Sequence, residues 1–377
     1  MHRVDEWTVR GAAAAAVRLL DGLGASRDDW LAAWERTGRE PFAHPDYVSL
    51  FAGHGESAQA ILWQASGDAE VLMPLIRRPL PRSLLLGARL DGDMWTDAVS
   101  PYGYGGPFAS SDVDWPAFYA DVLAWMGGNG VVSFFVRASL HSEPPLLADL
   151  PGYEAVLIGD NVVVDLTRTP DAQWAHYAHK VRKNVKKAQR AGLRVVIEPS
   201  FRRLAEFVDI LHVTMHRRRA KDWYFFEPAF FHDLSATLGG GHLVAEVHDP
   251  NGRVVSAELV LRSDRAMYSF LGGTREEAFP FAANDLLKHA VIKHGHELGL
   301  DRFVLGGGYV AGDGIFRYKR SFDEDGVVPY YGVRLTSDPN VYAALCAACG
   351  ARLQCQGVGD SPDPVYFPAY RDRRASP

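Results

Sequence analysis

The stretch that most constrains this chain is HKVRKNVKKAQRAG, residues 179–192. At the helical repeat of about 100° per residue, Val181, Val185 and Ala188 fall on one narrow arc. Lys183, Lys186, Lys187, Arg190 and Arg194 fall on the other side, and no acid occurs between Asp171 and Glu198. Such a segment forms a helix only if its thin apolar seam docks on a partner layer while the cationic face stays in water. The expected basic helix spans 176–192. Gly192 closes it, since a left-handed C-terminal residue favours glycine, and the strand-like run 195–197 follows.

The cationic character extends further. Residues 176–221 hold thirteen Lys and Arg against three acids, Glu198, Glu206 and Asp209, in a chain whose net charge is −6. One reading is a solvated charged face. Solvated helices usually mix their signs to gain i,i+4 pairs, and this one does not. The asymmetry points instead to a polyanion bound on one face of an otherwise acidic protein.

With 377 residues, two domains are expected. The composition, 47% hydrophobic and 23% charged, is that of a globular chain. Cys346, Cys349 and Cys355 make an odd count with no framework, as in a reduced protein. Cys346 and Cys349 have CxxC spacing but fall in a helical pattern with no fourth ligand evident, so no metal is expected. His289, His294 and His296 lack the i,i+4 spacing of a zinc helix. The Ala run at 12–16 is followed by charges and does not read as a secretory signal. No stretch reaches the ~20 apolar residues of a membrane span. The expectation is a cytoplasmic protein, monomeric, with no integral membrane segment.

In chain order, residues 12–38 read as two helices, and 58–80 as a hairpin around Ser66-Gly67-Asp68. A glycine-rich loop, SPYGYGGPF, occupies 100–108. A helix over 112–128, a strand over 131–138 and a strand–turn–strand over 153–166 complete a first α/β unit. After the basic helix come a strand at 193–198, a helix at 203–220, three strands across 242–273, a helix over 282–300 and a strand with loop at 301–308. A short amphipathic piece (314–322), a strand (330–335) and a helix (339–353) follow, then a loosely held Pro-, Asp- and Arg-rich tail beyond 358.

Four segments, SPYGYGGP (100–107), HKVRKNVKKAQRAG (179–192), TMHRRRAKDWYFFEPAFF (214–231) and GIFRYKRSF (314–322), resemble the Fem family of aminoacyl-tRNA-dependent peptidyltransferases. Helix pair, β-meander, helix and strand is also the order of the GNAT acyltransferase fold, and it occurs twice. The resemblance implies an α/β protein of two tandem GNAT-like domains with mixed central sheets. Residues 1–166, completed by about 325–377, would form the first, and 167–324 the second. It further implies transfer of an amino acid from aminoacyl-tRNA to an amine. The acceptor would be a cell-wall precursor or, as in relatives, an intermediate of antibiotic assembly. Aminoacyl-tRNA is then a co-substrate, and no metal, redox cofactor or DNA is called for.

The ester of aminoacyl-tRNA is already activated, so the chemistry needs a neutral amine and a positive or hydrogen-bonding partner for the tetrahedral oxyanion. Its 3′ phosphates need cations. Lys319 matches the family's Phe-Lys pair, with Tyr318 in place of Phe. The resemblance places it by the terminal adenosine, to stabilise the oxyanion or a phosphate. Arg218 resembles the arginine that grips the acceptor's phosphate, although Arg217 and Arg219 leave the register open. Tyr268 resembles a cleft tyrosine, with core packing as its alternative. Tyr102 and Tyr104 either contact the acceptor or belong to a tight structural turn. Asp97, just before that loop, is a candidate to hold the incoming ammonium or take its proton. Lys183, Lys186, Lys187, Arg190 and Arg317 are candidate tRNA contacts. Trp223, Tyr224 and Phe226 either stack bases or pack internally.

Two other functions compete. An acyl-CoA N-acyltransferase would carry an R/QxxGxG/A loop for the pyrophosphate at a helix N-terminus, where this chain has FPFAANDLLKH (279–289). A non-catalytic RNA-binding protein would account for the basic stretch but gives Lys319 no role.

Overall fold

The structure is a computed structural model that describes residues 16–65, 69–92, 94–141, 143–355 and 366–372. The elements begin β1 (Ala16–Asp21), α1 (Arg27–Arg36), α2 (Pro45–Leu50), β2 (Ser57–Gln64), β3 (Glu70–Pro79), α3 (Arg82–Gly87), β4 (Thr96–Val99) and β5 (Phe108–Ala109). Next come α4 (Trp115–Gly128), β6 (Val131–Arg137), β7 (Tyr153–Asp165), α5 (Pro170–His176), α6 (His179–Arg190), β8 (Arg194–Glu198), α7 (Leu204–Arg217) and α8 (Pro228–Leu238). The last are β9 (His242–His248), β10 (Val254–Arg262), β11 (Ala266–Thr274), α9 (Ala283–Glu297), β12 (Arg302–Gly306), α10 (Gly314–Arg320), β13 (Val327–Thr336) and α11 (Pro339–Cys355).

The chain forms two compact units, Met1–Ile158 with Tyr330–Pro377, and Gly159–Pro329. In the first, the strand order is β1-β2-β3-β4-β6-β13. Antiparallel pairing runs from β1 to β4, β4 lies parallel to β6, and α4 makes the crossover between them. Trp63, Phe118, Tyr119, Met126 and Phe134 fill the core beneath this sheet. A smaller cluster joins α3, β6 and α11 through Leu84, Leu85, Val132, Leu345 and Leu353.

The second unit repeats the plan. Its strand order is β7-β12-β11-β10-β9-β8. β8 to β11 form an antiparallel meander, and β11 pairs with β12 in parallel after the α9 crossover. α6 docks through the seam that its spacing predicts. Val181, Val185 and Ala188 are buried in the core with Leu286, Leu287, Val291 and Ile292 of α9, while Lys183, Lys186, Lys187 and Arg190 are exposed. On the opposite face α7 lies so close to the sheet that a Cβ at Gly273 would stand 2.2 Å from Thr214 Oγ1.

Three expectations are corrected. Residues 16–21 form a strand rather than a helix, because pairing with β2 along the whole of β1 overrides an alanine-rich local preference; residues 12–15 lie outside the described ones. β7 is one continuous strand rather than two around Gly159-Asp160-Asn161. The tail is not loose where it is described. Tyr370 is buried with its hydroxyl 2.7 Å from Ser133 Oγ, and the Arg371 guanidinium donates to Asp97 Oδ2 at 2.6 Å. The remainder of the tail and the turn residues 66–68 lie outside the described residues.

Candidate active site

The second unit brings the chemistry-bearing residues together where β11 and β12 part. Their parallel pairing covers Ala266–Tyr268 against Arg302–Val304 and goes no further. β11 also bulges. Leu271 faces Leu259 and Ser269 faces Val260, so the register with β10 steps over Phe270. A bulge bends its strand and re-aims neighbouring side chains. Here Ser269 and Phe270 are half-buried, next to the buried run Ala266–Tyr268.

α10 stands over this opening. Asp313 caps it, with Oδ1 accepting from the Phe316 amide at 2.7 Å. The Lys319 Nζ donates to the Gly307 carbonyl in the loop after β12, at 2.7 Å. Burial pulls the Lys319 pKa down to about 7, and the like charge of Lys288 adds to the shift; Glu258 opposes it, and Arg218 lowers it further. The bond to the carbonyl favours the ammonium while burial and Lys288 oppose it, so Lys319 is poised between its two states near neutrality.

Beneath Lys319 lies a buried polar cluster. Glu258 on β10 and Lys288 on α9 form an ion pair, and the Lys288 Nζ also donates to Ser269 Oγ at 2.8 Å. The Ser269 hydroxyl in turn donates to Glu258 Oε1. Lys288 lies over the Phe303 ring, 5.4 Å from its centroid. The Tyr318 hydroxyl is buried without a partner in bonding geometry among the described residues, with Asp285, Glu258 and Asn284 as its polar neighbours. Burial raises the Asp285 carboxyl, against a 3.1 Å hydrogen bond from the Asn184 amide of α6.

α6 is anchored to the same helix. The Ala178 amide donates to the Ser321 carbonyl at 2.9 Å, and the Tyr177 and Phe322 rings meet edge to face at 5.6 Å. The cationic helix therefore starts beside the helix that carries Lys319. Lys186 lies over the Trp174 ring, and Arg317 is exposed on α10.

The three arginines after α7 are distinguished by their surroundings. Arg217 is committed to the loop ahead of α9, donating to the Thr274 carbonyl at 3.2 Å and lying over Phe279. Arg219 leaves the helix with φ of 50°. Arg218 is the one whose charge reaches Lys319. It keeps solvent contact, although partial burial, then Arg217, hold its pKa below the ordinary arginine value.

Other expected site residues are placed elsewhere or buried. Tyr268 is only 3% exposed, in the sheet between β10 and β12. Asp97, in the first unit, is fully buried, and its oxygens accept from Arg78 at 2.7 Å and Arg371 at 2.6 Å. Full burial with one guanidinium on each oxygen is the geometry of a structural ion pair, and it speaks against Asp97 as a free base or ammonium receptor. Nothing near Asp97 in sequence announces either arginine, one of which stands 274 positions away.

The SPYGYGGP loop answers to packing. A Cβ at Gly105 would meet Ser100 Cβ at 2.2 Å, and one at Gly103 would meet Phe42 at 2.4 Å. Tyr104 packs edge-on against Phe42 and Tyr330, while Tyr102 lies tilted against Phe51 with its carbonyl accepting from Tyr47. The tight-turn reading therefore accounts for the glycines. Trp223 stacks on Tyr224 at 3.7 Å with 42% of its surface exposed, whereas Phe226 packs on Phe230. Sequence reasoning missed Glu258, Ser269 and Lys288, which look like ordinary strand and helix residues until the fold gathers them.

Comparison with known proteins agrees with this architecture. Residues 175–320 match the family model described as an acetyltransferase (GNAT) domain. The crystal structure of FemX superposes with a TM-score of 0.61 at 12% identity, covering 83% of this chain and 96% of that one. L-PGS from Bacillus licheniformis superposes at 0.52 with 14% identity, covering 84% and 94%. A conserved protein of unknown function from Bacteroides thetaiotaomicron does so at 0.50 with 10% identity, covering 82% and 97%. No curated protein matches the sequence. The chain has the fold of the GNAT acyltransferases, and its likeness to FemX is a likeness of fold along most of its length.

Proposed function

We propose that this protein is an aminoacyl-tRNA-dependent transferase that forms an amide bond between a tRNA-borne amino acid and an amine of a small-molecule or cell-wall-precursor acceptor. The observation that carries the reading is the junction of α6 and α10. An exposed face of Lys183, Lys186, Lys187 and Arg190 begins next to the helix that holds Lys319 at the parting of β11 and β12. An RNA backbone needs such a run of cations, and an ester needs a donor where its carbonyl oxygen becomes an oxyanion.

In this reaction the neutral acceptor nitrogen attacks the ester carbonyl carbon, and the carbonyl electrons move onto oxygen. The protonated Lys319 stabilises that charge. When the tetrahedral centre collapses, the bond to the ribose oxygen breaks, the amide forms, and the amine's proton passes to the ribose hydroxyl. Arg218 and Arg317 contribute charge for phosphates.

Acyl-CoA is the weaker candidate for donor. Ahead of α9, where a GNAT enzyme would cradle a pyrophosphate, the loop is FPFAAN, and Glu276 and Glu277 open the preceding turn.

A pool of charged tRNAs, each with one radiolabelled amino acid, is incubated with the protein and a small-molecule extract. One label is expected to pass to a product identified by mass. Lys319→Ala should reduce transfer by about 10²–10³-fold, as loss of one oxyanion donor does, with an unchanged circular dichroism spectrum. Label that stays on tRNA, together with a thermal shift induced by acetyl-CoA, would overturn the reading in favour of the thioester donor.

A further inference from the structure

The buried cluster below Lys319 has a leftover valence. Glu258 is 4% exposed, and both of its donors, Lys288 Nζ and Ser269 Oγ, converge on Oε1. Oε2 is buried and has no hydrogen-bond partner among the described residues. Buried polar atoms are almost always satisfied, and an ionised one left bare is costlier than a neutral one. A carboxylate needed only to neutralise Lys288 could share its two oxygens between the two donors. Here the bulge at Phe270 places Ser269 so that one oxygen takes both, and the other is held in reserve.

We infer that Glu258 Oε2 is the receptor for a primary ammonium, the α-ammonium of the amino acid on the donor. This rests on the aminoacyl-transfer reading and deepens it. The α-nitrogen lies two bonds from the ester carbon, so its receptor must stand close to the group that handles the ester. Glu258 meets this requirement through the strands: it is bonded to Ser269, the first residue of β11 past the parting from β12, and Lys319 is bonded to Gly307 in the loop that follows β12. Lys288 and Ser269 are positioning residues that fix the carboxylate and saturate its far oxygen. The site then selects an α-aminoacyl group over a plain acyl group, which offers Oε2 no donor. On β11, Ser269 and Phe270, next to the carboxylate, are half-buried.

The test uses the full chain and stable donor mimics, the 3′-amides of 3′-amino-3′-deoxyadenosine with alanine, valine and lysine, each with a free and an N-acetylated α-amine. Calorimetry should show the free amines binding at least about tenfold more tightly, as expected for a charge-assisted hydrogen bond. In Glu258→Gln that preference should fall to about twofold or less. Because this variant leaves Lys288 buried opposite a neutral amide, the double variant Glu258→Gln/Lys288→Met is measured beside it, and melting curves confirm that each folds. Equal binding of free and acetylated forms by the wild type, or a preference that survives in a folded variant, overturns the inference. A simple amine without the nucleoside, Nα-acetyl-lysine amide, serves as a third arm. If its binding is equally strong and equally dependent on Glu258, the occupant is the acceptor's amine and the donor assignment fails. Uncharged tRNA and acetyl-CoA are titrated in parallel. Failure of tRNA to bind defeats the RNA reading alone, since a Glu258-dependent preference for free amines would still stand.

Discussion

The two units each bury an acid beside a parallel strand pair, and they treat it in opposite ways. In the first, Asp97 sits on β4 with one oxygen bonded to Arg78 and the other to Arg371. The parallel pairing of β4 and β6 is also prolonged by the loop that follows. The Ser100 amide donates to the Phe135 carbonyl, the Gly105 amide to Arg137 and the Ser139 amide to Gly106. In the second unit, β11 and β12 separate after Tyr268 and Val304, and Glu258 keeps one oxygen unspent. The same plan thus yields a sealed seam and an open one. An acid with a guanidinium on each oxygen holds structure together; one with an oxygen that accepts no bond among the described residues is equipped for a ligand.

The sharpest way to break this contrast is Asp97→Asn. Breaking a buried pair strands its partner charge, at a cost of about 3–5 kcal/mol, and here two guanidiniums are stranded. Chemical denaturation should show a loss in that range, and a folded remnant should keep its preference among donor mimics. A variant of undiminished stability that had lost transfer activity would return Asp97 to the catalytic residues and erase the distinction between the units.

How much of this was legible beforehand follows from the range of the signals. The α6 seam was readable because helical periodicity is local, and Val181, Val185 and Ala188 are buried as their spacing requires. The meander β9–β11 was readable from its turns. Lys319 was reached through a motif. The fate of Asp97 was not legible, because Arg78 and Arg371 come from another strand and from the far end of the chain. Glu258 was missed for a related reason. Its neighbours Ser269 and Lys288 are 11 and 30 positions away, and only the bulge, which leaves no mark in the composition of MYSFLGG, turns Ser269 toward it. Residues 16–21 were misread because an alanine-rich start says helix locally while β2 says strand.

A second test sharpens the contrast through charge. If the open seam serves an RNA end, replacing Lys183, Lys186, Lys187 and Arg190 together by Gln should weaken tRNA binding about a hundredfold at moderate salt. It should also flatten the dependence of log K on log salt by about 0.7 for each lost contact with a single strand. Binding of the nucleoside mimics should change little, because they have no phosphate chain. Fluorescence anisotropy at several salt concentrations reads both quantities. An unaltered slope would make the face of α6 an ordinary solvated surface.

The smallest expected effect tests the electrostatics directly. Lys319 has a pKa near 7 because it is half-buried and because Lys288 repels its charge. Its folded-state value lies below the ordinary lysine value near 10.4, so the protonated form is disfavoured by the fold. It therefore costs stability in full below about pH 7, and the cost fades as pH rises toward the unfolded value. In protein carrying 13C at the lysine ε-carbons, one resonance should titrate near pH 7 and vanish in Lys319→Ala. Lys288→Met removes the like charge and frees Glu258 from its buried partner, and both changes favour the ammonium, while Arg218 still opposes it. The midpoint should rise by about one unit or more. Asp97→Asn, in the sealed seam, should leave it in place. A midpoint that ignored Lys288 would mean that burial alone sets Lys319, and the cluster beneath it would then have no electrical hold on the site it adjoins.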